Sequence, residues 1–315
     1  MCTAVSVPLS GRRGMLFGRT LDLEYRFEEE VVITPRRFPF VFLDGSRTDA
    51  HPALIGMAIR KNGYPLYYDA ANEAGLCMAG LAFEGYGSYA APGTAGEKHC
   101  TPWELIPYVL TRCGSVKEAR VLLDGCILED VLFSEDMPNR PMHWIVADAS
   151  GSLTVEPAQG HLTLHDNPVG VMTNSPPFAH QLDRLRDYRH LSAKTPSASL
   201  APQLPHSVYS RGMGALGLPG DWSSCSRFVR AVFLRENAQI PTHEAMFSVL
   251  DAVSVPRGAV LCDDGRAVVT VYAACIDTAD MMYHFCTEQN RAPRRVMLTD
   301  AAADAEVMVG IPIGK

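Results

Sequence analysis

The first 35 residues constrain the fold most, because they read as three strands in succession joined by tight turns. CTAVSVPL is β-branched and alternates in polarity, SGRRG has the composition of a turn, and GMLFGRTLDL resumes the two-residue period. RFEEEVVITP then runs into a third strand. A chain that opens on a hairpin has to bury at least one of its faces. Further strand patterns fall at 52–59, 66–69, 76–83, 143–147, 153–156, 161–165, 170–173, 259–262 and 268–276. Helical periodicity fits 102–111, 115–123, 178–190, 223–237 and 242–252. Short strands in hairpins, with helices inserted between groups of them, specify stacked antiparallel sheets flanked by helices.

Composition narrows the function classes. With 315 residues, 47% of them hydrophobic, the chain can enclose a large core. Its net charge of −7, from 28 basic and 35 acidic residues, argues against nucleic acid or a membrane surface as partner, because both demand a basic face. No apolar run approaches the roughly 18 residues of a membrane span. The opening MCTAVSVPLSGRRG lacks a basic segment ahead of an apolar one, so a cytoplasmic location is expected. The nine cysteines are odd in number and contain no C-x-x-C pair, which points away from a zinc or dithiol site. Eight read as buried small hydrophobes and one as chemistry. The Ser/Pro/Ala-rich stretch 192–207 reads as a surface excursion within one domain spanning 1–315.

Cys2 is the chemical candidate. Cysteine is small enough to permit removal of an initiator methionine, so the mature chain is expected to begin there. One residue then carries a thiol, with an ordinary pKa of about 8.5, and a free α-amine near 7.7 that can accept and return a proton at neutral pH. A turn centred between Arg12 and Arg13 places Cys2 opposite Leu23, near Asp22 and Arg19. Asp22 is then positioned to hold the amine and Arg19 to favour the thiolate. Spacing alone fits a strand-edge cysteine beside a surface ion pair better than it fits a catalytic one.

Longer blocks decide between these. MCTAV, GRTLDLEY, VVITPRR, NEAGLCMAGLAFEGY, DNPVGVMTNSPPF and YSRGMGALGLPGDWSSCSRFVRAVF, in this order, resemble the choloylglycine hydrolase family of bile salt hydrolases and penicillin V acylases. The resemblance implies a four-layer αββα fold of the α+β class, an N-terminal nucleophile exposed by autocatalytic processing, no cofactor or metal, and a homotetramer. It makes Cys2 the nucleophile and proton carrier, with Arg19 and Asp22 in support. Asn174 in MTNSPP matches the oxyanion-binding Asn, and Arg227 in SSCSRFVR matches a second active-site Arg. On position alone, Asn174 also suits a helix cap and Arg227 a solvated helix face.

One position departs from the pattern. The GLAF block has Ala82 where bile salt hydrolases usually carry Asn and penicillin V acylases often Tyr. The implied role of this site includes a backbone N–H in the oxyanion hole, which Ala82 still supplies. The implied substrate is a glycine- or taurine-conjugated bile salt, with a penicillin or another N-acyl amide as the alternative. Phe133 and Met137 are candidate walls of an acyl pocket. Arg211, in Ser210-Arg211-Gly212, matches a loop that leans toward glycine conjugates, and 212–220 reads as a loop near the active-site mouth. His161 and His165 read as surface residues of a strand, and Asp263-Asp264-Gly265 as a hairpin turn.

Overall fold

The computed structural model describes residues 1–197, 201, 203 and 208–314. Two sheets dominate it. The first runs Val171–Met172, Cys2–Pro8, Met15–Leu23, Ala267–Asp277, Met282–Thr287 and Arg294–Met297, with Val260–Leu261 paired to the Ala267–Asp277 strand. The second runs Val309–Pro312, Glu30–Thr34, Leu54–Lys61, Tyr64–Asn72, Cys77–Ala82, Met142–Asp148, Gly151–Ala158, His161–Asp166, Cys126–Leu128 and Lys98–Cys100. Neighbours are antiparallel except for Cys126–Leu128 and Lys98–Cys100, which are parallel.

Strand alternation builds the layers. Ala4, Phe17, Ile55, Ala79 and Ile145 point between the sheets into one core. Their neighbours Val5 and Leu16 point outward onto helices Phe178–Arg184, Ser224–Asn237 and His243–Asp251. Met78 and Val146 point outward on the other side, onto Leu105–Leu110 and Val116–Leu123. The result is helix, sheet, sheet, helix, the αββα order that the resemblance implies. Three of these helices start where serine or threonine caps them: Ser115, Ser223 and Thr242 accept from the backbone N–H of Glu118, Ser226 and Ala245. No helix among the described residues is long and apolar enough to cross a membrane.

The opening hairpin differs from its expected register. Cys2 pairs with Leu21, not Leu23, and Pro8 with Met15, leaving residues 9–14 as the connection. Gly11 and Gly14 adopt φ of +83° and +97°, and Leu9 N–H closes the loop onto the Gly14 carbonyl at 3.1 Å. That wider loop moves the centre of the hairpin by one residue. The ladder partner of Asp22 is therefore Met1, whose ammonium donates to the Asp22 carbonyl at 2.6 Å and whose carbonyl accepts from Asp22 N–H at 2.8 Å.

Several strands escaped the sequence pattern. Met282–Thr287 is buried along its whole length, so it shows no alternation to read. Val309–Pro312 carries Gly and Pro and is tolerated because it lies at a sheet edge. The 178–190 helix stops at Arg184 and continues as a 3-10 turn over Leu185–Tyr188. The Asp263-Asp264-Gly265 segment does form the turn between the Val260–Leu261 and Ala267–Asp277 strands, with Gly265 at φ +84°. Part of the 192–207 stretch lies outside the described residues.

Gly56 admits no side chain. A Cβ there would stand 2.0 Å from the Asp69 carbonyl oxygen and 2.6 Å from Ala70 Cα, both backbone atoms that cannot swing aside. Gly56→Ala is expected to cost about 2–3 kcal/mol by forcing the two strands apart, read as a lowered thermal midpoint against wild type; an unchanged midpoint would contradict this packing.

Candidate active site

The hairpin register divides the site between two faces. Cys2 and Arg19 point between the sheets, whereas Thr3 and Asp22 point toward the helices. The geometry expected from a simple hairpin, with Asp22 flanking Cys2 on one side, is thus replaced by Asp22 behind the strand.

Arg227 joins the two faces. Ser223 caps its helix and brings the guanidinium, fully buried, against the start of the chain. Nη1 donates to the Cys2 carbonyl at 2.5 Å and to Thr3 Oγ1 at 2.6 Å, Nη2 to Asn174 Oδ1 at 2.7 Å, and Nε to the Trp222 carbonyl at 3.0 Å. Burial pulls its pKa down, and electrostatic interaction with Asp22 and Cys2 opposes that pull. Asp22 Oδ2 lies 4.0 Å from Nη1 and has no hydrogen-bond partner, while Oδ1 accepts from Thr270 Oγ1 at 2.6 Å. Asp22 is therefore a buried carboxyl group with one oxygen held and one oxygen spare.

Asn174 is fixed from both ends. Its Oδ1 accepts from the Cys2 N–H at 2.7 Å and its Nδ2 donates to the Ala82 carbonyl at 2.8 Å. Its own N–H donates to Ser224 Oγ at 2.9 Å, and its carbonyl accepts from Gln181 Nε2 at 3.2 Å. An amide nitrogen carries two hydrogens, so one Nδ2–H is left over for a ligand. Ala82 contributes a second donor. Phe83 N–H bonds the Pro141 carbonyl, which makes Ala82 and Met142 a non-hydrogen-bonded pair and turns the Ala82 N–H away from the Met142–Asp148 strand.

Arg19 reaches across to the other sheet. It donates to the Tyr68 carbonyl at 3.1 Å and to Asp69 Oδ2 at 3.3 Å. Asp69 also accepts from Tyr272 at 2.6 Å and Tyr283 at 2.7 Å. Burial works against the Arg19 charge, but Tyr272, Cys2, Asp69 and Tyr283 outweigh it and raise its pKa. Burial holds both phenols well above their ordinary range, so they remain donors. Sequence reasoning missed Asp69, Tyr272, Tyr283 and Ser224. An acid inside the apolar strand YPLYYDAAN was the available signal, since buried carboxylates require partners.

Cys2 opens onto a cavity of about 650 Å³, walled by Leu21, Leu23, Phe27, Ile59, Met137 and Met142. Glu24, Glu84, Asp136 and Arg140 supply its charged groups. Met137 lines this space as expected; Phe133 lines an adjoining recess instead. Arg211 is exposed and does not line the cavity. Its neighbour Gly214 is tied by its carbonyl to Ser192 N–H at 2.9 Å, so the 212–220 loop packs on the 192–194 segment. His161 is exposed, and His165 lies 3.4 Å from Glu156. The arrangement combines a thiol, two potential oxyanion donors and buried cations at the floor of an apolar pocket, which suits nucleophilic attack on an acyl group.

Comparison with known proteins supports that chemistry. The family model for linear amide C-N hydrolases of the choloylglycine hydrolase family matches residues 2–309. A bile salt hydrolase/transferase of Lactiplantibacillus plantarum is 40% identical over 99% of this chain and 97% of its own length. One from Clostridium perfringens is 32% identical over 92% of this chain and 90% of its own. The crystal structure of a variant conjugated bile acid hydrolase from Clostridium perfringens superposes with a TM-score of 0.91 at 29% identity, covering 100% of this chain and 98% of that one. A penicillin V acylase from Agrobacterium tumefaciens shares the fold at TM-score 0.77 and 21% identity, over 100% of this chain and 92% of its own. This chain belongs to the choloylglycine hydrolase family of linear amide C–N hydrolases.

Proposed function

We propose that this protein hydrolyses the amide bond of glycine- or taurine-conjugated bile salts. The observation that carries the reading is the 2.7 Å hydrogen bond from the Cys2 nitrogen to Asn174 Oδ1 at the floor of the 650 Å³ apolar cavity. In our reading Met1 is removed autocatalytically, and that nitrogen becomes the α-amine of the nucleophile itself. The curated relatives, named for bile salts, support the choice of acyl group.

The reaction follows from the residues in place. Cys2 sulfur attacks the amide carbonyl while the α-amine takes the thiol proton. Negative charge develops on the carbonyl oxygen and meets the spare Nδ2–H of Asn174 and the Ala82 N–H. The amine returns the proton to the leaving nitrogen, and glycine or taurine departs. Water then attacks the thioester, the amine serving again as base, and the bile acid is released. Arg227, with Asp22 4.0 Å from its guanidinium, holds the strand start in position, Arg19 favours the thiolate, and Met137 lines the apolar cavity with Phe133 in the adjoining recess. Arg211, on the family's pattern, bears on the choice between glycine and taurine from an exposed loop. No cofactor takes part. We further read residues 1–315 as one domain, acting as a cytoplasmic homotetramer; the family resemblance supports both.

A penicillin or other N-acyl amide is the competing substrate, favoured by Ala82, which lacks the side chain that bile salt hydrolases usually present there. Release of glycine and taurine from glycocholate and taurocholate, assayed beside cleavage of penicillin V, separates the two. We expect the bile salts to be cleaved faster, and Cys2→Ser to lower that rate about a thousandfold or more; a clear preference for the penicillin would overturn the assignment. Asn174→Ala is expected to lower kcat on the order of a hundredfold, and full turnover in that variant would mean that another group meets the oxyanion.

A further inference from the structure

The ladder between Leu54–Lys61 and Tyr64–Asn72 loses register at one point. Met57 faces Asp69 and Ala58 faces Tyr67, so Tyr68 is the residue left over. Such a bulge re-aims a side chain. Here the Tyr68 ring lines the Cys2 cavity and also a recess of about 190 Å³ walled by Trp103, Phe133 and Trp144. Ile59, Gly80, Met137 and Met142 border both spaces, which places Tyr68 at their junction.

Its hydroxyl is uncommitted. Among the described residues it has no hydrogen-bond partner, and unlike the Tyr64 hydroxyl it is not sealed from solvent. Four other phenols near this space are engaged: Tyr25 accepts from Arg140 at 2.8 Å, Tyr67 meets Thr34 at 2.7 Å, and Tyr272 and Tyr283 donate to Asp69. Burial pushes the Tyr68 phenol above its ordinary range, so it faces the cavity as a neutral donor. A largely apolar wall accepts a hydrocarbon skeleton without discriminating its polar substituents. A single donor set into that wall does discriminate, because a skeleton without a matching group leaves the donor dry and unpaired.

Resting on the amide-hydrolase reading, we propose that Tyr68 is a specificity-determining residue that selects acyl groups bearing a ring hydroxyl. The phenol exchanges a hydrogen bond with that hydroxyl where the skeleton passes from the Cys2 cavity toward the Trp103–Phe133 recess. The substrate class is thus narrowed from any apolar acyl group to a hydroxylated one.

The test compares kcat/KM for glycine conjugates of tri-, di- and monohydroxylated bile acids and of the same skeleton without ring hydroxyls, on wild type and Tyr68→Phe. Wild type is expected to favour one of the more hydroxylated substrates about tenfold over the form lacking that hydroxyl, and Tyr68→Phe to bring the ratio close to one. An identical ratio in the two proteins would overturn the proposal. Calorimetric binding of the free acids to both proteins gives the same ratio without catalysis. If wild type releases no glycine, the hydrolase reading falls, and the binding ratio still decides for or against Tyr68.

Discussion

A buried guanidinium holds this site together. Arg227 spans the Cys2 carbonyl, Thr3 Oγ1 and Asn174 Oδ1, and so locks the first residues of the chain to a turn more than 170 positions away. Termini usually fray. A nucleophile placed at one needs a reason to stay still, and charge-assisted hydrogen bonds in a desolvated setting provide it. The same fork orients the Asn174 amide: with Oδ1 committed to Arg227 and the Cys2 nitrogen, Nδ2 has to face Ala82 and the cavity. Removing that cation would take the nearest positive group from Asp22 as well as loosening both Cys2 and Asn174.

The sandwich explains why the site lies where it does. Two departures from regular pairing face each other near Cys2: Tyr68 bulges from one sheet, and the register of the other slips between Thr270 and Tyr272. The first releases the Tyr68 carbonyl toward Arg19, and the second brings Thr270 to Asp22 and Tyr272 to Asp69. A regular ladder would have paired the Tyr68 carbonyl within its own sheet. Gly56 lets the strands close behind the Tyr68 bulge, and Gly18 lets the His243–Asp251 helix approach the strand that carries Arg19, since a Cβ there would meet Met246 at 2.7 Å.

The alternation in the first 35 residues foretold the hairpin, and helical periodicity foretold the helices, because both signals are local. Of the proposed catalytic residues, Cys2, Arg19 and Asp22 were brought together by the hairpin spacing, whereas Asn174 and Arg227 were legible only through the family blocks. The five residues come from four separate stretches of chain, with Arg19 and Asp22 on opposite faces of one strand, and no local period encodes that. Register was lost for a similar reason: the centre of a hairpin depends on loop geometry, and the positive φ of Gly11 and Gly14 is not visible in the pattern of SGRRG. The Asp69–Tyr272–Tyr283 cluster is a product of packing two sheets face to face, and Arg211 shows the converse, a family motif whose side chain stands away from the cavity that it was expected to influence.

Everything in this account turns on sulfur and base belonging to one residue. The most direct test is turnover of glycocholate by two preparations separated by intact mass, one trimmed to Cys2 and one trimmed and then acetylated at its α-amine. The account predicts that the free-amine form is active and that acetylation abolishes activity with the thiol still titratable. Equal turnover by the two would contradict it, because the proton would then have to pass through another group.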